Sequence, residues 1–231
     1  YRTFDNATAT ENAVQIKQLN TGNREADLIT WQLDVVDPQG DNARLEYGAR
    51  AAYKLSYSDF LVQYEDLLNN NTLLDSGLSN DIRIDDFVGA AYMNYAGIWK
   101  GIGYQAGLRY EHTWFVGELT NTGETFNYIY PKSLKEIDKV LFPAIYLSKK
   151  IKDKHEFQMN YSRKIGRPGF MQLIPFIMYA DRQSVQIGNP VLGPEFINLG
   201  EVNYSFTGNK GSLLTSVYAR LSLLSITPVV Y

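Results

Sequence analysis

The residues best spaced for chemistry in this chain are a row of charges at even intervals, Arg44, Glu46, Arg50 and Lys54, matched further on by Arg109 and Glu111. Even spacing puts them on one side of a strand, where such a row lines a passage for a polar solute or forms the wet face of a sheet. Catalysis finds less support. His112 and His155 are the two histidines and stand in different segments, so no converging set of metal ligands is spaced for binding. Asp85-Asp86 and Glu65-Asp66 are adjacent acids. Neighbouring strand residues point to opposite faces, which separates a would-be general acid from its base. No GxSxG turn presents a serine nucleophile. GIGYQAG, from Gly101 to Gly107, opens a strand and therefore offers no helix N-terminus to a pyrophosphate. The expectation is a protein that is not an enzyme and has no catalytic residue, metal site or cofactor.

Those charges need strands to hold them, and period-two patterns recur along the chain. Ile29, Trp31, Leu33 and Val35 alternate with Thr30, Gln32 and Asp34, as a half-buried strand does. After a compact turn from Asp37 to Asn42, Leu45, Tyr47, Ala49, Ala51, Tyr53, Leu55 and Tyr57 alternate with the charged row. Phe87, Gly89, Ala91, Met93 and Tyr95 form the next apolar row, and a turn near Ile98 to Gly101 follows. Tyr104, Ala106, Leu108, Tyr110, His112 and Trp114 then alternate with Gln105, Gly107, Arg109, Glu111 and Thr113. VLFPAIYLSKK and HEFQMNYSRK flank a turn at Ile151 to Lys154. Pro143 counts against the first of these, since proline cannot donate to a ladder. A strand at 196 to 206, a turn at 207 to 211 and SLLTSVYARL follow.

The stretch from Tyr161 to Glu195 is the hinge of this organisation. It opens as a strand, breaks at Arg167-Pro168-Gly169 and is punctuated by Pro175, Pro190 and Pro194. Proline fixes the backbone and removes donors, so the expectation is a long ordered loop with no ladder or helix running through it. Its Phe170, Phe176, Tyr179, Asp181 and Arg182 mix aromatic and charged groups suited to holding a polar solute, or to packing the loop. The segments 65 to 81 and 117 to 139 read as two further long polar connections, and residues 1 to 26 as a loop with a strand end. Short and long connections therefore alternate. Outer-membrane barrels sort their connections this way, with short periplasmic turns and long extracellular loops.

Composition sets the outer bounds. A chain of 231 residues holds one large all-β domain or two small ones. Mean hydropathy is slightly negative, and no segment approaches the roughly 18 uninterrupted apolar residues of a membrane helix. Membrane β-strands need only about 9 to 11 residues and spend half of them on a polar interior. Seventeen Tyr, eleven Phe and three Trp suit the aromatic girdles of a barrel or the core of a soluble β-sandwich. The absence of cysteine removes disulfides and thiolate chemistry. A net charge of −3 from 22 basic and 25 acidic residues gives no footprint for nucleic acid. The start at Tyr1 has neither a basic nor an apolar leader region, and the expectation is an internal piece of a longer protein.

YSRKIGRPGF, an IPF, an acidic-polar run and GNPVLGPE before an alternating strand resemble the barrel segment of TonB-dependent outer-membrane receptors, within their outer-membrane β-barrel family. TWQLDVVDPQGDNARLEYGARAAYK, Thr30 to Lys54, and AAYMNYAGIWKGIGYQAGLRYEHT, Ala90 to Thr113, are similar to that family's strand-turn-strand units, in the expected order. The resemblance runs roughly from residue 27 to 220 and implies an all-β, antiparallel up-and-down transmembrane barrel. Residues 1–231 would be a partial barrel domain of about eight strands, a sector of a larger barrel without its plug domain. It implies a Gram-negative outer-membrane location, lipid contact, an extracellular solute, the TonB protein as partner through the absent plug, and a surface lipoprotein as a cap. The alternative is a small closed eight-stranded barrel serving as anchor or adhesion protein.

Overall fold

The computed structural model describes residues 3–4, 11–12, 16–66, 71–173, 177–179, 185–189 and 192–223. Thr3–Phe4 (β1) and Glu11–Asn12 (β2) form a minimal ladder. The main strands begin with Ile16–Pro38 (β3), Ala43–Asp66 (β4), the short Asn71–Leu74 (β5), Asn80–Trp99 (β6) and Ile102–Leu119 (β7). Glu124–Tyr130 (β8), a 3-10 helix at Leu134–Val140, Leu141–Ile151 (β9) and His155–Gly166 (β10) follow. The chain continues through Phe170–Leu173 (α1), Ile177–Tyr179 (β11) and Val185–Ile187 (β12) to Glu195–Gly208 (β13) and Gly211–Leu223 (β14).

Eight strands form one antiparallel path, β14-β13-β10-β9-β7-β6-β4-β3, with β5 added to β4 and β8 to β7. Sequence neighbours pair throughout, which is the up-and-down order of the expected fold. The four tight turns therefore lie at one end of the sheet and the three long connections at the other. At Lys100 (φ 51°) and Gly101 (φ 75°) both loop residues take the left-handed conformation that matches the strand twist of a two-residue hairpin. Among the described residues β3 and β14 pair with one neighbour each, so the sheet is open at both.

Register divides the sheet into two faces. Ile29, Tyr53, Phe87 and Trp114 are successive partners across β3, β4, β6 and β7, as are Val35, Tyr47, Met93 and Leu108. The apolar row from Leu45 to Tyr57 thus belongs to one continuous face. Gln32, Arg50, Ala90 and Glu111 form a rank on the other.

Pro143 is tolerated because the β9–β10 ladder starts one residue later, at Ala144, so its missing donor meets an open side.

Several expectations about the connections are corrected. β3 starts at Ile16, so much of the segment read as loop up to residue 26 is strand. β4 has 24 residues and at about 3.4 Å per residue is roughly 80 Å long. A bilayer strand needs only about 9 to 11 residues, so the ladder continues well past any membrane. On the outer part of β3, residues 17–26, both faces meet water, and the alternation that marks a half-buried strand disappears. The segment 65–81 contains β5, and 117–139 contains the end of β7, β8 and the start of the 3-10 helix. The proline-punctuated loop carries α1 and the β11–β12 ladder, because the prolines lie outside both.

Candidate functional site

The two faces change character part-way along the strands. Near the tight turns the apolar face bears Tyr95 and Tyr104, ring centroids 6.0 Å apart, and Phe157 against Tyr204 at 4.9 Å. Eight residues up β6 stands a second aromatic level, with Phe87 stacked on Trp114 at 5.8 Å and Tyr53 beside Trp114 at 6.3 Å. Aromatic rings at two levels separated by exposed Ala91, Met93 and Leu108 are the girdles of a bilayer-crossing sheet.

Beyond Phe87 the hydrophobic phase reverses. On β6 the face that carried Met93 now carries Asp85 and Arg83, joined at 3.1 Å. The opposite face, which carried Asn94, now carries the buried Ile84 and Ile82. β7 does the same, with Arg109 and Glu111 giving way to Phe115 and Leu119. Above the second aromatic level the sheet builds an ordinary water-excluding core from Ile82, Ile84, Phe115, Leu119, Phe126, Tyr128, Tyr130, Val140, Phe142, Leu173 and Phe196. A Cβ on Gly117 would lie 2.3 Å from the Phe126 ring. Only glycine there lets β8 fold its aromatic row, Phe126, Tyr128 and Tyr130, onto β7.

The charged row runs along the polar face from the tight turns, at Arg44, to the level where the two regions meet, at Lys54. Arg44, Glu46, Arg50 and Lys54 share one face of β4, with Arg44 bonded to Glu46 at 2.5 Å. Arg109 and Glu111 stand on the same face of β7, linked at 2.6 Å. Glu111 is shared: the loop after β10 brings the Arg167 guanidinium onto its other oxygen, while Arg167 Nε donates to Thr113 Oγ1 at 3.1 Å. Sequence reasoning treated Arg167 as a residue of loop entry and had no signal for this contact.

A cavity of about 270 Å³ opens beside this pair. Its floor is one rank of partners, Lys54, Asp86, Phe115 and Tyr128, and Arg167, Pro168 and Leu173 of the loop close over it. The Tyr128 side chain is buried, and its hydroxyl has no hydrogen-bond partner among the described residues. Burial pushes that hydroxyl well above the usual tyrosine range; Arg167 pulls the other way and Tyr130 adds to the rise. It is therefore a neutral donor. Of the loop residues named as solute contacts, Phe176, Asp181 and Arg182 lie outside the described residues. Phe170 falls in α1 and Tyr179 in β11, and their side chains are not described. Among the described residues there is no cluster of metal-ligating side chains and no helix long and apolar enough to cross a membrane.

The family model of the outer membrane protein beta-barrel family matches residues 1–230. No curated protein matches the sequence. Among solved structures, the ferric citrate transporter FecA in its unliganded form is similar in fold, with a TM-score of 0.57 and 15% identity over 90% of this chain. The chain spans 29% of that transporter's length.

Proposed function

The chain belongs to the outer membrane protein beta-barrel family, and from that premise we propose that it is a sector of a receptor that binds an extracellular polar solute and imports it with energy delivered by TonB. An outer-membrane location in a Gram-negative bacterium follows from the family, and contact with lipid follows from the location. The finer reading is supported chiefly by one observation. The end of the charged face that carries Lys54 and Glu111 is roofed by the Arg167 loop on the side of the long connections, so the groups able to hold a solute there lie at the outer mouth of the polar face. The fold likeness to a ferric citrate transporter agrees with it. The chain spans less than a third of that protein, and the edges of β3 and β14, unpaired among the described residues, are what a sector requires.

In this reading Arg44, Glu46, Arg50, Lys54, Arg109 and Glu111 line the lumen, and the loop from 166 to 195 sits above it. A plug domain beyond this sector would meet TonB, and a surface lipoprotein would cap the mouth. The test compares uptake by cells carrying the full-length receptor with cells lacking it, each with and without TonB. Receptor-dependent uptake that vanishes without TonB is the expected result. Receptor-dependent uptake that survives loss of TonB overturns the proposal.

A further inference from the structure

The cavity beneath Arg167 has the composition of a selective site. Its walls include Ile84, Phe115 and Leu173, all three buried, and its rim brings Lys54, Arg24 and Arg167 to one place. Charge around it does not balance. Glu111 is a single carboxylate shared by two guanidiniums, those of Arg109 and Arg167. Asp86, the other carboxylate, lies between the fields of Arg167 and Lys54. Among Lys54, Arg109, Arg167, Asp86 and Glu111, three cations thus face two carboxylates, and the surplus is positive. Into the same space turns Tyr128, whose side chain is 9% exposed and whose hydroxyl has no partner among the described residues. A buried donor left unsatisfied is costly, and an incoming acceptor removes that cost.

We propose that this cavity binds the carboxylate of an organic acid, with Lys54 and Tyr128 contacting the oxyanion, Arg167 closing over it, and the acid's apolar body lying on Ile84, Phe115 and Leu173. A cation is rejected by the surplus charge. A neutral polar molecule satisfies Tyr128 and leaves the positive surplus uncompensated. An inorganic anion satisfies the charges and wastes the apolar wall. The inference deepens the transport reading and rests on it for the statement that this acid is the imported solute; binding itself does not depend on that reading.

The test uses the full-length receptor in detergent and titrates benzoate, benzyl alcohol and benzylammonium as probes by calorimetry. Benzoate binding at least tenfold tighter than both others is expected. Tyr128→Phe should weaken benzoate about tenfold, the scale of one hydrogen bond to a charged group, while thermal stability is unchanged or raised because an unsatisfied hydroxyl has been removed. Lys54→Gln should weaken benzoate by a similar factor and leave benzyl alcohol unchanged. Benzoate binding no tighter than benzyl alcohol overturns the proposal. So does full benzoate affinity in the Tyr128→Phe protein, because a residue that only packs would give that result. Tight benzoate binding together with TonB-independent uptake would remove the transport reading and leave the site standing.

Discussion

Arg167 and Glu111 are 56 positions apart in the chain, yet one guanidinium-carboxylate contact ties the start of the longest connection to the face of β7. Glu111 is buried, with its side chain 10% exposed against 31% for Arg167, so the pair is partly shielded from water. Removing one partner strands the other. Glu111→Gln removes the carboxylate that Arg109 and Arg167 share, at a cost of about 1–2 kcal/mol after discounting for the exposure of Arg167. The loop should open more often. A Leu173→Cys reporter, placed at a buried position, should react with maleimide about tenfold faster in the Glu111→Gln background. Equal labelling rates would mean that apolar packing alone holds the loop down.

The two faces of β7 should respond oppositely to a new charge. Leu108 is 45% exposed on the apolar face between the aromatic levels, whereas Gln105 lies on the polar face, in the rank of Arg44 and Ala96. Leu108→Arg should lower assembly of the heat-modifiable barrel, since a cation on the lipid face near the midplane costs about 2–4 kcal/mol. Gln105→Arg should assemble normally. Equal assembly of both proteins would remove the assignment of the apolar face to lipid.

Much of this was legible in the sequence, and the omissions have physical causes. Alternation between Leu45 and Tyr53 is clean because one face meets lipid and the other does not. It fades over residues 16 to 26 of β3 because the strand has left the bilayer and both faces are wet. The phase reversal is written in DIRIDDF, where Ile82 and Ile84 alternate with charges in the opposite register to Phe87. β8 is visible as Phe126, Tyr128 and Tyr130 at every second position. Reading 117 to 139 as polar loop hid that row. The Arg167 contact had no local signal, since strand periodicity says nothing about which distant side chain a loop residue will reach.

Gly117 sets how β8 docks. The ladder fixes the Gly117 backbone between Ile84 and Phe126, so an alanine methyl can be accommodated only by moving the Phe126 ring, which stands 2.3 Å from the ideal Cβ position. Gly117→Ala should destabilise the β7–β8 hairpin by about 1–3 kcal/mol, as overpacking does. Hydrogen exchange over 124–130 should quicken accordingly, and adding Phe126→Leu should restore part of the protection. Protection that is unaffected by Gly117→Ala would mean the hairpin yields at no cost.

The open edges of the sheet give the sharpest separation of a sector from a small closed barrel. β3 exposes Ile29 at 71% and β14 exposes Tyr218 at 78%, and among the described residues each strand has one unpaired edge whose amides and carbonyls need partners inside a bilayer. In a closed eight-stranded barrel those two edges would satisfy each other. In a sector, strands from elsewhere in the protein satisfy them. Cysteine pairs placed at Ile29, Trp31 or Leu33 on β3 and at Val217, Ala219 or Leu221 on β14 sample the neighbouring registers on the apolar face. A disulfide forms only when two Cα atoms approach within about 7 Å. The full-length protein should give no cross-link for any of the nine combinations, while a control pair at Tyr161 and Gly200, direct partners on β10 and β13, should link readily. A cross-link between β3 and β14 would close the sheet on itself and replace the receptor sector with the small-barrel alternative.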